Sequence, residues 1–205
     1  MLRYAITDRK LLGDIEEYRR NSLVHQAARW AAQGVEFIQL REKDLGAGEM
    51  VDLTRRVIEA VHLVAGSKTR VLVNSRADVA VVARADGVHL TAAPGGVTPE
   101  QVRAVFSAAG RGRPVVSVSC HTVEEVRRAS AAGVDAILFG PVFAKVVQGV
   151  EVGQGLGIEG LRGACEVAGS ARVFALGGVN QQNSAECAGA GAAGVAGIRL
   201  FMGSE

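Results

Sequence analysis

The sequence predicts an α/β fold, a single (β/α)8 TIM barrel over residues 1–205 with its last helix truncated. Three observations carry this expectation. A helical stretch ending in Gly, then Val and a short apolar run, recurs at Gly34-Val35-Glu36-Phe37-Ile38, Gly87-Val88-His89-Leu90, Gly133-Val134-Asp135-Ala136-Ile137 and Gly194-Val195-Ala196-Gly197-Ile198. With four further apolar runs these make eight strands about 27 residues apart, the spacing of βα units. Eight such units use up the 205 residues and leave no room for a second domain. A doubly wound open sheet is the alternative. It carries a Gly-rich fingerprint after its first strand, where this chain has Thr7-Asp8-Arg9-Lys10.

The elements follow in order. Tyr4 to Thr7 is the first strand. Leu23 to Gln33 is an Ala-rich helix with Val24, Ala27, Ala28 and Ala31 on one face. After the second strand, Ala47 to Val64 sets Met50, Leu53, Val57 and Val61 at helical spacing. Arg70 to Asn74 and Gly87 to Leu90 are strands three and four. Thr98-Pro99-Glu100-Gln101 opens a helix with a capping box and Pro at its first position. Strand five runs from Pro114 to Ser119, and Thr122 with Glu125 caps the helix from Val123 to Ala132. After strand six, Gln148 to Gly157 is Gly-rich and aperiodic and reads as a mobile loop. Helix Gly160 to Ala168, strand Arg172 to Leu176, helix Gln181 to Ala188 and the eighth strand complete the set. Only Arg199 to Glu205 remain, so the closing helix is expected to be a stub or absent. Leu200 and Phe201 would then lie open, to be covered by Asp14 to Tyr18 or by a second subunit of a homo-oligomer.

Composition excludes several classes. Hydrophobic residues make up 48%, enough for a full core. Lys and Arg number 23 against 21 Asp and Glu, a balance unlike that of a nucleic-acid binder. Aromatics at 4% argue against single-strand stacking platforms. Met1 to Lys10 has no apolar signal core and no run is long enough to span a membrane, so a cytoplasmic location is expected. Cys120, Cys165 and Cys187 form no CxxC pair and read as small buried residues rather than a disulfide or zinc set.

In such a barrel the working residues stand at the C-terminal strand ends. Gln39, Arg41 and Lys43 alternate there and are expected on one side, two cations and an amide suited to an anionic ligand. Gly177-Gly178 after strand seven and Gly197 after strand eight would let peptide N–H groups approach a phosphate. Asn74, Ser119 and Arg199 stand at the ends of strands three, five and eight. His89, inside strand four, reads either as a packed histidine or as a catalyst. His121, just past strand five, reads as a loop residue or a general acid–base. Cys120 should diverge from its neighbour His121, which argues against a dyad. Asp8 and Asp44 are the acids expected near the mouth, too few for a tight divalent-metal site.

Tyr4-Ala5-Ile6-Thr7-Asp8, Ile38 to Lys43, Asp86-Gly87-Val88-His89-Leu90, Ser119-Cys120-His121-Thr122, Phe139-Gly140-Pro141-Val142-Phe143 and Ala175-Leu176-Gly177-Gly178-Val179 stand in fixed order. Together they resemble the thiamine phosphate synthase / TenI family over nearly the whole chain. The resemblance implies a (β/α)8 barrel that handles a thiazole phosphate in thiamin biosynthesis. Synthases join it to hydroxymethylpyrimidine diphosphate with Mg²⁺ and release pyrophosphate; TenI-type members bind or tautomerise it. It also implies pyrophosphate and pyrimidine contacts at Gln39, Arg41, Lys43, Asn74 and Ser119, and a thiazole-phosphate pocket at Gly178 and the Gly197 region; Gly140, Gly177 and Arg199 are further candidate substrate-binding residues.

The chain departs from the synthase pattern at Ser75, where an Asp is expected, and in Thr91-Ala92-Ala93-Pro94, which lacks an expected acid. Both acids would hold Mg²⁺. Lys145, Val147 and Gln148 replace two threonines and a lysine, leaving Lys145 as a partial substitute for charge neutralisation. TenI-type tautomerases carry a catalytic His where this chain has Pro141. The reading is therefore a TenI-like barrel that binds thiazole phosphate, with His121, His89 or Lys145 as candidate proton-transfer groups. A synthase, with Mg²⁺ only in that case, and a non-catalytic phosphometabolite-binding protein are the alternatives.

Overall fold

Short Val-, Ile- and Phe-rich strands that bury both faces need helices outside and side-chain layers inside. The computed structural model meets that need with a closed parallel barrel. It describes residues 1–91, 95–147, 150–152 and 154–202, with 145–147 and 150–152 described as backbone only. The elements are β1 (Leu2–Ile6), α1 (Glu16–Ala32), β2 (Phe37–Leu40), α2 (Ala47–His62), β3 (Arg70–Asn74), α3 (Ala77–Ala83), β4 (Gly87–Thr91), α4 (Pro99–Ala108), β5 (Val115–Cys120) and α5 (Val123–Ala131). They continue with β6 (Ala136–Phe139), β7 (Lys145–Val147), β8 (Val150–Val152), α6 (Gly157–Val167), β9 (Arg172–Leu176), α7 (Ser184–Gly189), β10 (Gly194–Gly197) and α8 (Arg199–Met202). Around the barrel the order is β1-β10-β9-β6-β5-β4-β3-β2.

All eight expected barrel strands form. The differences lie in the connections. Residues 145–147 and 150–152 pair as an antiparallel hairpin, so the segment read as a mobile loop from Gln148 to Gly157 carries a strand. Gln148, Gly149 and Gly153 lie outside the described residues. Helix α3 was not anticipated, because its seven residues are too few to show a period and it ends on Arg84 in the left-handed region (φ 63°) rather than on Gly. Helix α1 begins at Glu16, seven residues before the expected start, through a charged first turn with no apolar period. Helix α7 begins later than expected, because Asn180 and Asn183 close a turn on each other's side chains.

The repeated Gly-Val has two physical causes. Gly34 and Gly133 adopt φ of +73° and +66°, the left-handed cap that was expected. Gly87 and Gly194 instead start their strands. A Cβ on Gly87 would lie 1.8 Å from the Val115 carbonyl oxygen, and one on Gly194 would lie 2.4 Å from that of Leu2. These two positions need Gly because neighbouring backbone occupies the side-chain space.

Two apolar layers result. Outside, α1 to α6 bury Leu23, Trp30, Leu53, Val79, Val102, Val126 and Leu161 against the sheet. Inside, Tyr4, Phe37 and Phe174 fill the barrel, with ring centroids 5.3 to 5.9 Å apart and tilted or edge-on. Within the described residues the closing helix is a four-residue stub, as expected. Asp14 to Tyr18 does not cover it: Ile15 and Tyr18 stay 71% and 61% exposed. Phe201 instead packs edge-on against Trp30, and Met202 is buried with its Sδ accepting the Asp8 N–H at 3.0 Å. Among the described residues no helix is long and apolar enough to cross a membrane.

The two kinds of glycine predict different costs. Gly34→Ala meets open space and should lose about 1–2 kcal/mol from its left-handed backbone. Gly87→Ala should cost several-fold more in the same urea titration. Equal costs would show that the Gly87–Val115 approach is not tight.

Candidate active site at the C-terminal barrel mouth

The exits of β1 and β2 are tied by a buried ion pair. Arg9 and Glu42 are 3% and 5% exposed. Glu42 accepts the Thr7 hydroxyl at 2.5 Å, the Arg9 backbone N–H at 3.1 Å and Arg9 Nη1 at 3.1 Å. Arg9 also donates to Asp44 at 2.7 Å and Glu16 at 2.8 Å. The Arg9 guanidinium, with Lys10 adding, holds the Asp44 carboxyl well below the usual carboxylate range. Thr7 Oγ1 in turn accepts the Arg41 N–H at 3.0 Å. The backbone that carries Arg41 is therefore fixed by Glu42. Glu42 was not among the expected mouth acids, because strand alternation set it on the side opposite Gln39, Arg41 and Lys43.

The cation–amide set is only partly brought together. Gln39 is buried, and its Nε2 donates to Asn74 Oδ1 at 2.9 Å. Its Oε1 is buried with no partner among the described residues. Arg41 is half-buried and close enough to depress the charge state of His89. Strand β2 ends at Leu40, so period-two alternation does not extend to Lys43, which stands exposed. Lys145 lies in β7, where side chains are outside the described set.

His89 sits inside the barrel. Its Nδ1 is 2.9 Å from Ser117 Oγ and 3.4 Å from Tyr4 OH, and its Nε2 is 2.9 Å from Ser119 Oγ. Tyr4 OH also bonds Ser117 Oγ at 2.8 Å. Burial, with the Arg41 charge adding, pushes His89 down to about 3, and burial pushes the Tyr4 phenol up. The imidazole is thus neutral near pH 7, with both nitrogens engaged. Tyr4 and Ser117 were not among the candidates. The signal was there: Ser117 is two residues before Ser119 and so faces the same side.

His121 differs. Its backbone N–H donates to Glu125 Oε2 at 2.6 Å, inside the capping box of α5. Its Nδ1 lies 2.5 Å from the Gly140 carbonyl oxygen. A carbonyl only accepts, so Nδ1 carries the proton and a neutral ring leaves Nε2 as its basic atom. Cys120 is fully buried on the outer side, and burial pushes its thiol up to about 12. The expected divergence from His121 therefore holds.

The glycines at the mouth pack against one another's loops. A Cβ on Gly140 would lie 2.0 Å from the Leu176 carbonyl oxygen. Gly177 and Gly178 have φ of +90° and +65°, with Pro141 and Phe143 at 2.6 and 2.7 Å from where side chains would start. The Gly177 and Gly178 carbonyls accept from Phe143 N–H and Asn183 Nδ2. Among the described residues the N–H groups of Gly178 and Val179 have no protein acceptor. Gly197 is buried at the end of β10, and Arg199 is exposed at the start of α8.

The donor set does not fit Mg²⁺. Ser75 presents a hydroxyl that accepts from Asn74 Nδ2 at 3.3 Å, where the cation would need a carboxylate. Among the described residues no three His, Cys, Asp or Glu side chains converge.

Because His89 is neutral in the fold but near 6.5 when unfolded, the unfolded chain takes up the proton first. Stability is then full above about pH 6.5 and falls on acidification, by about 1.4 kcal/mol per pH unit while only the unfolded state is protonated. Between pH 6.5 and 5, urea titrations should show this slope in the wild type and a flatter one in His89→Gln. Identical slopes would contradict a buried neutral His89.

A family model described as thiamine monophosphate synthase matches residues 3–201. The chain is 37% identical over 183 residues to a thiamine-phosphate synthase of Anaeromyxobacter dehalogenans, covering 88% of this chain and 76% of that protein. It is 34% identical over 174 residues to that of Moorella thermoacetica, covering 84% and 77%. A thiamine phosphate pyrophosphorylase from Pyrococcus furiosus superposes with a TM-score of 0.77 at 28% identity, over all of this chain and 88% of the other.

Proposed function

The chain belongs to the thiamine monophosphate synthase family, and from that premise we propose that it binds a thiazole phosphate at the barrel mouth and moves a proton on it through His121. The observation that supports this most is the Nδ1 bond from His121 to the Gly140 carbonyl. It fixes the tautomer with Nε2 as the base. It also sets the ring beside the residue preceding Pro141, the position at which TenI-type relatives are expected to carry their histidine. In this reading Nε2 takes a proton from one ligand atom and returns it to another, with no net change in protons. The Gly178 and Val179 N–H groups, with the Gly197 turn and Arg199, receive the phosphate. Arg41 and Lys43 attract the anion, and Gln39 Oε1 accepts from a ligand donor. His89 serves as a neutral anchor for Ser119. Self-association belongs to the same reading and is checked by light scattering.

The names of the relatives favour a second reading, a synthase that releases pyrophosphate. The Ser75 hydroxyl, where a carboxylate would be needed, argues against its metal chemistry.

Calorimetry with thiazole phosphate should show binding, and NMR in D₂O should show exchange of a ligand proton. His121→Asn should slow exchange about 100-fold while changing affinity little. Binding without exchange in the wild type would leave only a phosphometabolite-binding role. No binding would remove the whole reading. Release of pyrophosphate from hydroxymethylpyrimidine diphosphate, dependent on thiazole phosphate and Mg²⁺, would establish the synthase instead.

A further inference from the structure

The opposite, N-terminal face of the barrel carries a pattern that the mouth does not use. Seven of the eight barrel strands begin on or beside one charged residue, and the signs alternate in chain order: Arg3, Glu36, Arg70, Asp86, Arg113, Asp135 and Arg172. The eighth position, before β10, is Ala193. The ring is one acid short, so guanidinium exceeds carboxylate.

The acids are largely committed. Asp86 Oδ2 accepts the Val71 N–H at 2.8 Å, and Oδ1 faces Arg70 Nη1 at 3.5 Å. Asp135 Oδ2 accepts the Val116 N–H at 2.9 Å, and Oδ1 accepts Arg113 Nη1 at 3.1 Å. Glu36 Oε1 accepts Arg172 Nη1 at 2.5 Å between the starts of β2 and β9, with the Arg172 guanidinium 4.9 Å over the Phe37 ring. These carboxylates close the strand starts and hold the arginines in place. Among the described residues Arg70, Arg113 and Arg172 each keep N–H groups without an acceptor.

Those groups border a cavity of about 310 Å³ lined by Glu36, Phe37, Arg70, Arg113, Asp135 and Arg172. That volume accommodates a small oxyanion. A planar guanidinium offers paired N–H groups matched to the oxygens of phosphate or carboxylate. The surplus guanidinium of the ring, Arg3, donates to the Gln33 carbonyl and does not line the cavity; at the cavity the three arginines face Asp86, Asp135 and Glu36, whose carboxylates are already hydrogen-bonded, so the groups left there are donors rather than acceptors.

We propose that this cavity is a second anion site, binding a phosphate-class oxyanion on Arg70, Arg113 and Arg172, on the face opposite the proposed catalytic mouth. Its rim is solvent-exposed, so binding is weakened by salt.

The test is a titration of the full-length protein with inorganic phosphate, followed by ¹H–¹⁵N NMR at low and high salt. Saturable shifts are expected at the amides of Arg70, Val115, Asp135 and Arg172. Arg113 is 64% exposed in its side chain, so its substitution leaves the fold intact. Arg113→Ala should weaken this binding at least fivefold and Arg113→Glu should abolish it, whereas Arg41→Ala at the mouth should not change it. Shifts confined to Gly177–Val179 and Gly197, shifts that never saturate, or rim binding unaffected by Arg113→Glu would each overturn the proposal. Because rim and mouth are read at separate amides, failure of one does not decide the other.

Discussion

Closure of the barrel depends on β10 lying against β1 with almost no side chain between them. Leu2 to Ala5 pair with Gly194 to Gly197, and the Leu2 carbonyl occupies the space a Cβ on Gly194 would take. Without that approach the parallel sheet would have two open edges, each with unpaired peptide groups. Closure also creates two chemically different ends. At the C-terminal end the strand exits diverge into loops that hold polar groups. At the N-terminal end the strand starts converge on a ring of alternating charge.

The mouth rests on a second constraint, the buried Arg9–Glu42 pair. Two buried charges are tolerated because nearly every oxygen and N–H of the pair is used, by Thr7, Asp44, Glu16 and the Arg9 backbone. Such a pair adds little net stability, yet removing one partner leaves a buried charge and costs roughly 3–5 kcal/mol. Its effect is positional. It joins the exits of β1 and β2 and sets the backbone at Arg41. The Tyr4–Ser117–His89–Ser119 chain does similar work one layer deeper, where neutral groups share hydrogen bonds instead of charge.

The two histidines at adjacent strands show how environment separates groups of one type. His89 faces the interior, pairs in register with Ser117 and is held neutral by burial. His121 stands one residue beyond β5, in solvent, with one nitrogen tied to Gly140. A linear sequence shows both as histidines near strand ends. The hydrogen-bond partners, which come from residues 19 to 85 positions away, decide which nitrogen is available.

What the sequence alone determined follows from local chemistry. Val-rich runs, Thr98 and Thr122 capping boxes and regularly spaced glycines dictate eight strands and most of the helices, since caps and periods act within a few residues. It also placed Gln39, Asn74, His89 and Ser119 at one end of the barrel. The short α3, the β7–β8 hairpin, the burial of Glu42, the backbone contact that requires Gly87 and the packing of Phe201 on Trp30 needed the tertiary structure. Each depends on atoms distant in the chain, brought within a few ångströms only when the sheet closes, and no local pattern encodes that distance.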